Sequence, residues 1–295
     1  MSLEDTLSGW TGPSSDTEQD KQDRTKRMVQ DAVDAHDTFE DCRLSVYPTG
    51  SYANNTNVRA DSDVDIAVQC HNVEYWEEET PGAHPLASPY EGIWTPEKLR
   101  SELVAALKAK FPGQVDTSGS TAIQVNSSSA RVVADIVSCF DFRYYFTGGG
   151  SRPGTKIFPR TGSSFENHPA QHLEKGKQKN TRTNTRFKKS VRIMKRVENA
   201  MLANCAHREL PSFFVECLVY NCPDAVLTQS TWTEVVRGIL VHVWNGLEGA
   251  EPTDNSERWL EVNECKYLFF NAQKWTRAEG RDFAKAAWNY LGYKS

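Results

Sequence analysis

No apolar run in the chain approaches the roughly 20 residues that a membrane-spanning helix needs, so a membrane partner is not expected. The seven cysteines, Cys42, Cys70, Cys139, Cys205, Cys217, Cys222 and Cys265, include no C-x-x-C pair and no other metal-ligand spacing. A thiolate zinc site is therefore set aside, and the cysteines read as reduced thiols of a cytoplasmic protein. Positive charge is not in excess either: 34 Lys and Arg stand against 39 Asp and Glu, for a net charge of -5. A protein that coats duplex DNA shows the opposite balance. Stable DNA binding is thus not expected, and any polyanion must be met by a local basic patch. The acidic, polar amino terminus lacks the apolar core of a signal peptide, and no internal repeat is present. What remains is 295 residues, 38% hydrophobic and 25% charged, enough for one large or two smaller domains around a real core.

The pattern along the chain predicts an α+β protein. Residues 1–14 read as frayed. Ser15 and Glu18 make a capping box for a long helix reaching Phe39. Strands are expected at Leu44–Tyr47 and Val64–Cys70, a Pro- and Gly-rich loop over residues 77–96, and a helix from Thr95 to Phe111 with Pro96 in its first turn. Thr121–Val125 and Val132–Phe140 read as a hairpin. Residues 148–185 read as a long functional loop. From Arg186 onward the periodicity predicts helices at 186–204, 212–221, 230–247, 256–272 and 276–291. The expected division is a catalytic core over 1–165, with the long N-terminal helix and a mixed sheet, and a helical lobe over 166–295 that completes a nucleotide cleft.

The chemistry concentrates in three places. Gly50 and Ser51 follow a strand and can offer backbone N–H groups and a hydroxyl to a phosphate. Asp63 and Asp65, two apart, share one face of a strand, while Val64, Ile66 and Val68 face a core. Asp61 has the same parity but falls at the strand edge and is left out. Paired carboxylates repel and raise each other's pKa unless a cation sits between them. Alone, the pair would read as a solvated edge. Asp135, set in the apolar run Val132–Phe140, changes that, because an unpaired acid there would be costly to bury. Three carboxylates suit two Mg2+ ions, with Mn2+ as a substitute, clamping the attacking and leaving oxygens of a phosphoryl transfer.

Between Lys175 and Arg196 there are ten Lys or Arg and no acid. Some of these form an ordinary solvated face. Lys188, Arg192 and Lys195, spaced i, i+4, i+7, line one side of a helix and suit a triphosphate. Phe187, Val191, Met194 and Met201 anchor another side. Beyond it, Ser212 can supply a hydroxyl and Phe213 a ring for base stacking, although Phe213 as core packing is an equal alternative.

Three longer stretches narrow the reading: residues 184–195, 210–216 and 283–292. With Gly50-Ser51, the Asp63/Asp65 pair and the strand Asp135, they resemble the DNA polymerase beta nucleotidyltransferase superfamily. Within it they resemble the cGAS/DncV-like nucleotidyltransferases (CD-NTases, the CdnE-like group) of bacterial CBASS anti-phage systems. The likeness runs from about residue 15 to the C-terminus. It implies a polymerase-beta-like core and a cyclic di- or trinucleotide product, here expected to be a dinucleotide, made from NTPs with release of pyrophosphate and read by an effector protein. It implies that Asp63, Asp65 and Asp135 bind Mg2+, that Ser51 contacts the donor triphosphate, and that Lys195 and Ser212 contact phosphate. Phe213 falls where relatives often carry a stacking Tyr. Asn167 falls where some members carry an Asn that favours pyrimidines, so UTP and ATP are the expected substrates, with GTP also open. Two rivals stand beside this reading: transfer of a single NMP to an RNA, protein or small-molecule acceptor, and an inactive nucleotide-binding module.

Overall fold

The computed structural model describes residues 2–13, 15–58, 63–84, 90–271 and 273–293. Asp61, Pro85 and Pro89 lie outside the described residues. In chain order the helices are α1 (Leu3–Gly9), α2 (Asp16–Asp34), α3 (Gly50–Ala53), α4 (Pro96–Lys110), α5 (Pro169–Arg182), α6 (Arg186–Ala203), α7 (Ser212–Tyr220), α8 (Asp224–Leu227), α9 (Trp232–Gly246) and α10 (Arg277–Tyr290). The strands are β1 (Leu44–Pro48), β2 (Val64–Glu78), β3 (Val115–Asp116), β4 (Ile123–Val125), β5 (Ala134–Tyr145), β6 (Ser151–Ile157) and β7 (Phe165–Asn167).

Two compact units result, and they are not contiguous. A sheet unit holds Ser14–Tyr52 and Arg59–Pro169; a helical unit holds Met1–Pro13, Ala53–Val58 and Ala170–Ser295. The sequence expectation of a single cut near residue 165 therefore omits two short segments that belong with the C-terminal helices.

The sheet unit is built on a mixed sheet ordered β1-β2-β5-β4-β3, with β6 on β5 and β7 on β6. β2 and β5 run parallel and every other pair is antiparallel. Alternation sets the faces. Val64, Ile66, Val68, Ala134 and Ile136 point to one side and are buried with Val29 and Val33 of α2 and Leu99, Leu103 and Leu107 of α4. Each helix starts as its sequence dictates. Ser15 and Glu18 close a capping box on α2, and Thr95 caps α4 ahead of Pro96. On the other face of the sheet Ser45, His71 and Asp141 form a relay of 2.8 Å hydrogen bonds, one from each of β1, β2 and β5 or its immediate neighbour in the strand.

In the helical unit α6, α7, α9 and α10 share one apolar core that includes Phe187, Val191, Phe214, Leu218, Val236, Leu240 and Phe283. The segment expected to be frayed is folded into it. Ser2 and Asp5 form a capping box on α1, and Leu7 is fully buried. The Glu4 carboxylate accepts from the backbone N–H groups of Trp232 and Thr233, capping α9 at 2.8 and 2.7 Å. A charged sequence such as this one hides a docked helix because few apolar side chains, Leu3, Leu7 and Trp10, and partners distant in the chain do the docking.

Two further expectations differ from the structure. Residues 148–185 are not a loop but β6, β7 and α5. Pro153 is tolerated in β6 because β7 pairs only with Thr155–Ile157, leaving β6 with one neighbour at that point. α5 lacks an apolar stripe; its buried positions are His172, Gly176 and Lys179, and Lys179 Nζ is satisfied by Cys222 O and Asp224 Oδ1 at 2.8 and 3.0 Å. The helix expected at 256–272 is absent. That stretch holds a 3-10 turn, Asn255–Glu257, and side chains that capture local partners: Asn263 donates to Glu261 and its Oδ1 accepts from Cys265 N–H. Among the described residues no helix is long and apolar enough to cross a membrane.

Candidate active site

In the sheet unit the chain leaves β1 at Pro48, and Thr49 N–H donates to Asp65 O at 2.8 Å. Gly50 then takes φ 62° and opens the short turn of α3. A Cβ at this position would lie 2.2 Å from Asp65 Oδ2. Both the positive φ and the close approach require glycine. The turn is thus packed directly on a carboxylate, with Ser51 half-buried beside it.

Asp65 and Asp135 are register partners on the parallel strands β2 and β5, and both alternate away from the core. Asp63 stands one residue before β2 and is exposed. Its side of the strand matches Asp65 by parity. Burial, and then the charge of Asp135, push the Asp63 carboxyl above its usual range. Asp135 was expected deep in an apolar strand; it is instead half-buried on the open face. Gln124 Nε2, from its register partner on β4, donates to Asp135 Oδ1 at 3.0 Å and leaves the second oxygen without a hydrogen bond among the described residues. The oxygen donors and their mutual repulsion fit a hard divalent cation in kind. Among the described residues no three His, Cys, Asp or Glu side chains converge closely enough to hold an ion by themselves, while Asp65 and Asp135 pair in register and the charge of Asp135 reaches Asp63. Asn167 ends β7 with an exposed side chain, opposite Thr155.

In the helical unit the three cations expected along one face of α6 are largely buried, and two of them are already engaged by protein atoms. Arg192 is buried, and its Nε and Nη1 donate to Thr11 O and Asn55 O, both at 2.7 Å. It ties two loop backbones to α6. Lys195 is only 3% exposed, and its Nζ donates to Glu216 Oε2 at 3.1 Å and to Thr56 Oγ1 at 3.3 Å. Lys188 is half-buried. Burial lowers the pKa of its ammonium, Arg192 and Lys177 add like-charge pressure, and Glu216 opposes them. The apolar side of α6 is as expected, with Phe187, Val191, Met194 and Met201 buried. Ser212 is exposed at the first position of α7. Phe213 is half-buried, edge-on to His172 at 5.3 Å and tilted against Trp275 at 6.0 Å. It packs on the core and is only partly buried.

Sequence reasoning missed the centre of this second cluster. Glu216, 2% exposed, accepts from Thr56 Oγ1 at 2.8 Å as well as from Lys195, and its other oxygen lies 3.1 Å from His172 Nε2. The signal was available. Glu216 is the one acid in the apolar stretch Phe213–Tyr220, the same kind of anomaly that singled out Asp135.

Comparison with known proteins adds four findings. Residues 174–292 match the family model of the cGAS/DncV-like nucleotidyltransferase C-terminal helical domain. Over 98% of its length the chain is 35% identical to a cyclic dipyrimidine nucleotide synthase CdnE of Legionella pneumophila, 97% of which is covered. It is 30% identical to another of that description from Cecembia lonarensis, with 98% of each chain covered. Among solved structures, the Elizabethkingia meningoseptica CdnE cyclic dinucleotide synthase with GTP and Apcpp superposes with a TM-score of 0.81 at 29% identity, covering 98% of this chain and 99% of that one.

Proposed function

The chain belongs to the cGAS/DncV-like nucleotidyltransferases, and from that premise we propose that it joins two NTPs into a pyrimidine-containing cyclic dinucleotide, a second messenger of anti-phage defence. The observation that carries the catalytic assignment is the register pair Asp65 and Asp135 on parallel strands, with Asp63 beside them and Gly50 packed on Asp65. Clustered acids that repel one another, facing away from a core, are costly unless the substrate complex brings positive charge.

The roles follow from the chemistry of each group. Gly50 and Ser51 present N–H groups and a hydroxyl to the donor triphosphate. Lys195, Lys188 and Ser212 add a cationic and hydroxyl half-site, and the open part of the Phe213 ring stacks a base. Arg192 serves as a strut, because its guanidinium is already committed to two carbonyls. Asp135 has one oxygen held by Gln124 and one open to accept the proton of the attacking ribose hydroxyl. That hydroxyl forms a bond to the donor α-phosphorus, and the bond to pyrophosphate breaks. A second attack in the opposite sense closes the ring and releases a second pyrophosphate. Asp63, Asp65 and Asp135 would hold Mg2+ or Mn2+, which when bound neutralises the acids and the developing phosphate charge.

The pyrimidine preference rests on the two relatives described as dipyrimidine synthases and on the exposed Asn167. The test is incubation with each labelled NTP singly and in pairs, followed by chromatography and nuclease P1 digestion. A resistant product that contains uridine is expected. Products built from purines alone would remove the pyrimidine assignment. Label transferred only when an RNA, protein or other acceptor is added would replace the cyclase reading.

A further inference from the structure

A buried ion pair is a poor way to gain stability. Taking both charges from water costs several kcal/mol per ion, and a well-packed apolar pair of similar volume is often at least as stable. Lys195 and Glu216 are nevertheless buried together, and every oxygen of the acid is used. The imidazole of His172 fits between two fixed partners. A neutral ring protonated on Nε2 donates to Glu216 Oε1, and its Nδ1 accepts from Asn54 Nδ2 at 3.3 Å. The acid thereby ties together α5, α6, α7 and the 54–56 segment, all within the helical unit.

Three features of this cluster point beyond packing. Glu216 and Ser212 stand four residues apart on α7 and so share a face, with the serine exposed and the acid buried. Lys195 spends two of its three N–H donors on Glu216 and Thr56, which leaves one for an incoming oxygen. His172, held by the other oxygen of Glu216, is the ring against which Phe213 stands edge-on. One carboxylate thus fixes the ammonium read as the phosphate contact and, through an imidazole, the ring read as the base platform.

We propose that Glu216 is a positioning residue for the nucleotide half-site: it holds Lys195 and, through His172, Phe213 in the orientation that receives an NTP. The proposal rests on the roles given above to Lys195 and Phe213. Thr56 is the second arm of the same device, and it follows Ser51 by five positions in the chain.

The test measures binding of a non-hydrolysable NTP analogue by calorimetry, KM and kcat for NTPs, and thermal melting, on the full chain. Glu216→Gln keeps an acceptor but removes the charge, and Thr56→Val removes one hydroxyl at nearly constant shape. Each is expected to weaken analogue binding and raise KM by about tenfold, as the loss of one well-placed hydrogen bond would, with a smaller change in kcat. Thr56→Ser keeps the hydroxyl and should restore wild-type affinity. A purely structural role would lower the melting temperature and leave the affinity of the folded molecules untouched; that result in both variants overturns the proposal, and so does failure of Thr56→Ser to rescue. If Glu216→Gln fails to fold, Thr56→Val and Thr56→Ser decide alone. A wild-type protein that binds the analogue but forms no cyclic product would overturn the function proposed above and leave this comparison of affinities standing. One that binds no NTP overturns both.

Discussion

The two units of the chain treat acidic side chains in opposite ways. In the helical unit, burial works against the charge of Glu216, yet Lys195, His172 and Thr56 outweigh it and hold the carboxyl far below its usual range. In the sheet unit Asp63 has no cation beside it among the described residues, and partial burial together with Asp135 pushes its carboxyl upward. The first acid has both oxygens engaged by protein donors; the second has a like-charged neighbour. An acid whose partners are all protein atoms arranges a site, whereas one left with a like-charged neighbour is suited to bind.

The comparison makes predictions of decreasing size. Asp63→Asn should reduce pyrophosphate release by at least about a thousandfold without loss of fold. Because its folded pKa is raised, the native state holds the proton more tightly than the unfolded chain, so the ionised carboxylate costs stability at pH values above the raised pKa. At pH 7 the Asn variant should therefore melt no lower than wild type, and a clear drop in melting temperature would break the contrast. Gly50→Ala sets a Cβ against Asp65 at a positive φ; activity should fall about a hundredfold, as expected for displacement of a reacting group by about an ångström.

Glu216→Ala leaves Lys195 buried without its counter-charge and should cost about 3–5 kcal/mol in denaturant unfolding. The pH sign here is the reverse of that for Asp63. A depressed folded pKa gives stability that is full above the unfolded carboxylate value, about 4.3, and is lost as pH falls through that value toward the lower folded one. The melting temperature of Glu216→Gln should consequently depend less steeply on acid pH than that of wild type. The smallest effect belongs to His71→Ala. It opens the Ser45–His71–Asp141 relay but touches none of the nucleotide-binding residues, so activity should stay within about twofold while stability falls by the worth of one or two half-buried hydrogen bonds, about 1 kcal/mol.

Much of the sheet unit is legible in sequence because its signals are local. The capping box at Ser15, the alternation through Val64–Cys70 and the glycine at 50 each depend on near neighbours. The carboxylates were found the same way, by parity and by an acid in an apolar run. What sequence could not give was who neutralises whom. Lys195 and Arg192 read as a row free to meet a triphosphate because helical spacing tells which residues share a face and not what covers that face. Thr56 and His172, 160 and 44 residues from Glu216, carry no local mark of their pairing with it. α5 escaped notice because its buried side is polar, and α1 because its docking depends on partners more than 180 residues away.

The N-terminal docking has a consequence for how the chain is made. The backbone that Glu4 caps, at Trp232 and Thr233, is made some 228 residues after Glu4 itself. Arg192 reaches back 181 residues to Thr11. A segment made so long before its partners is placed late, because closing so long a loop carries an entropic penalty that slows such contacts. Until α9 exists, Leu7 has no core to enter. A nascent or truncated chain ending before Trp232 would lack α9, the helix that α1 packs on, and would leave Leu7 exposed, which marks an interval of synthesis in which this protein needs protection from aggregation.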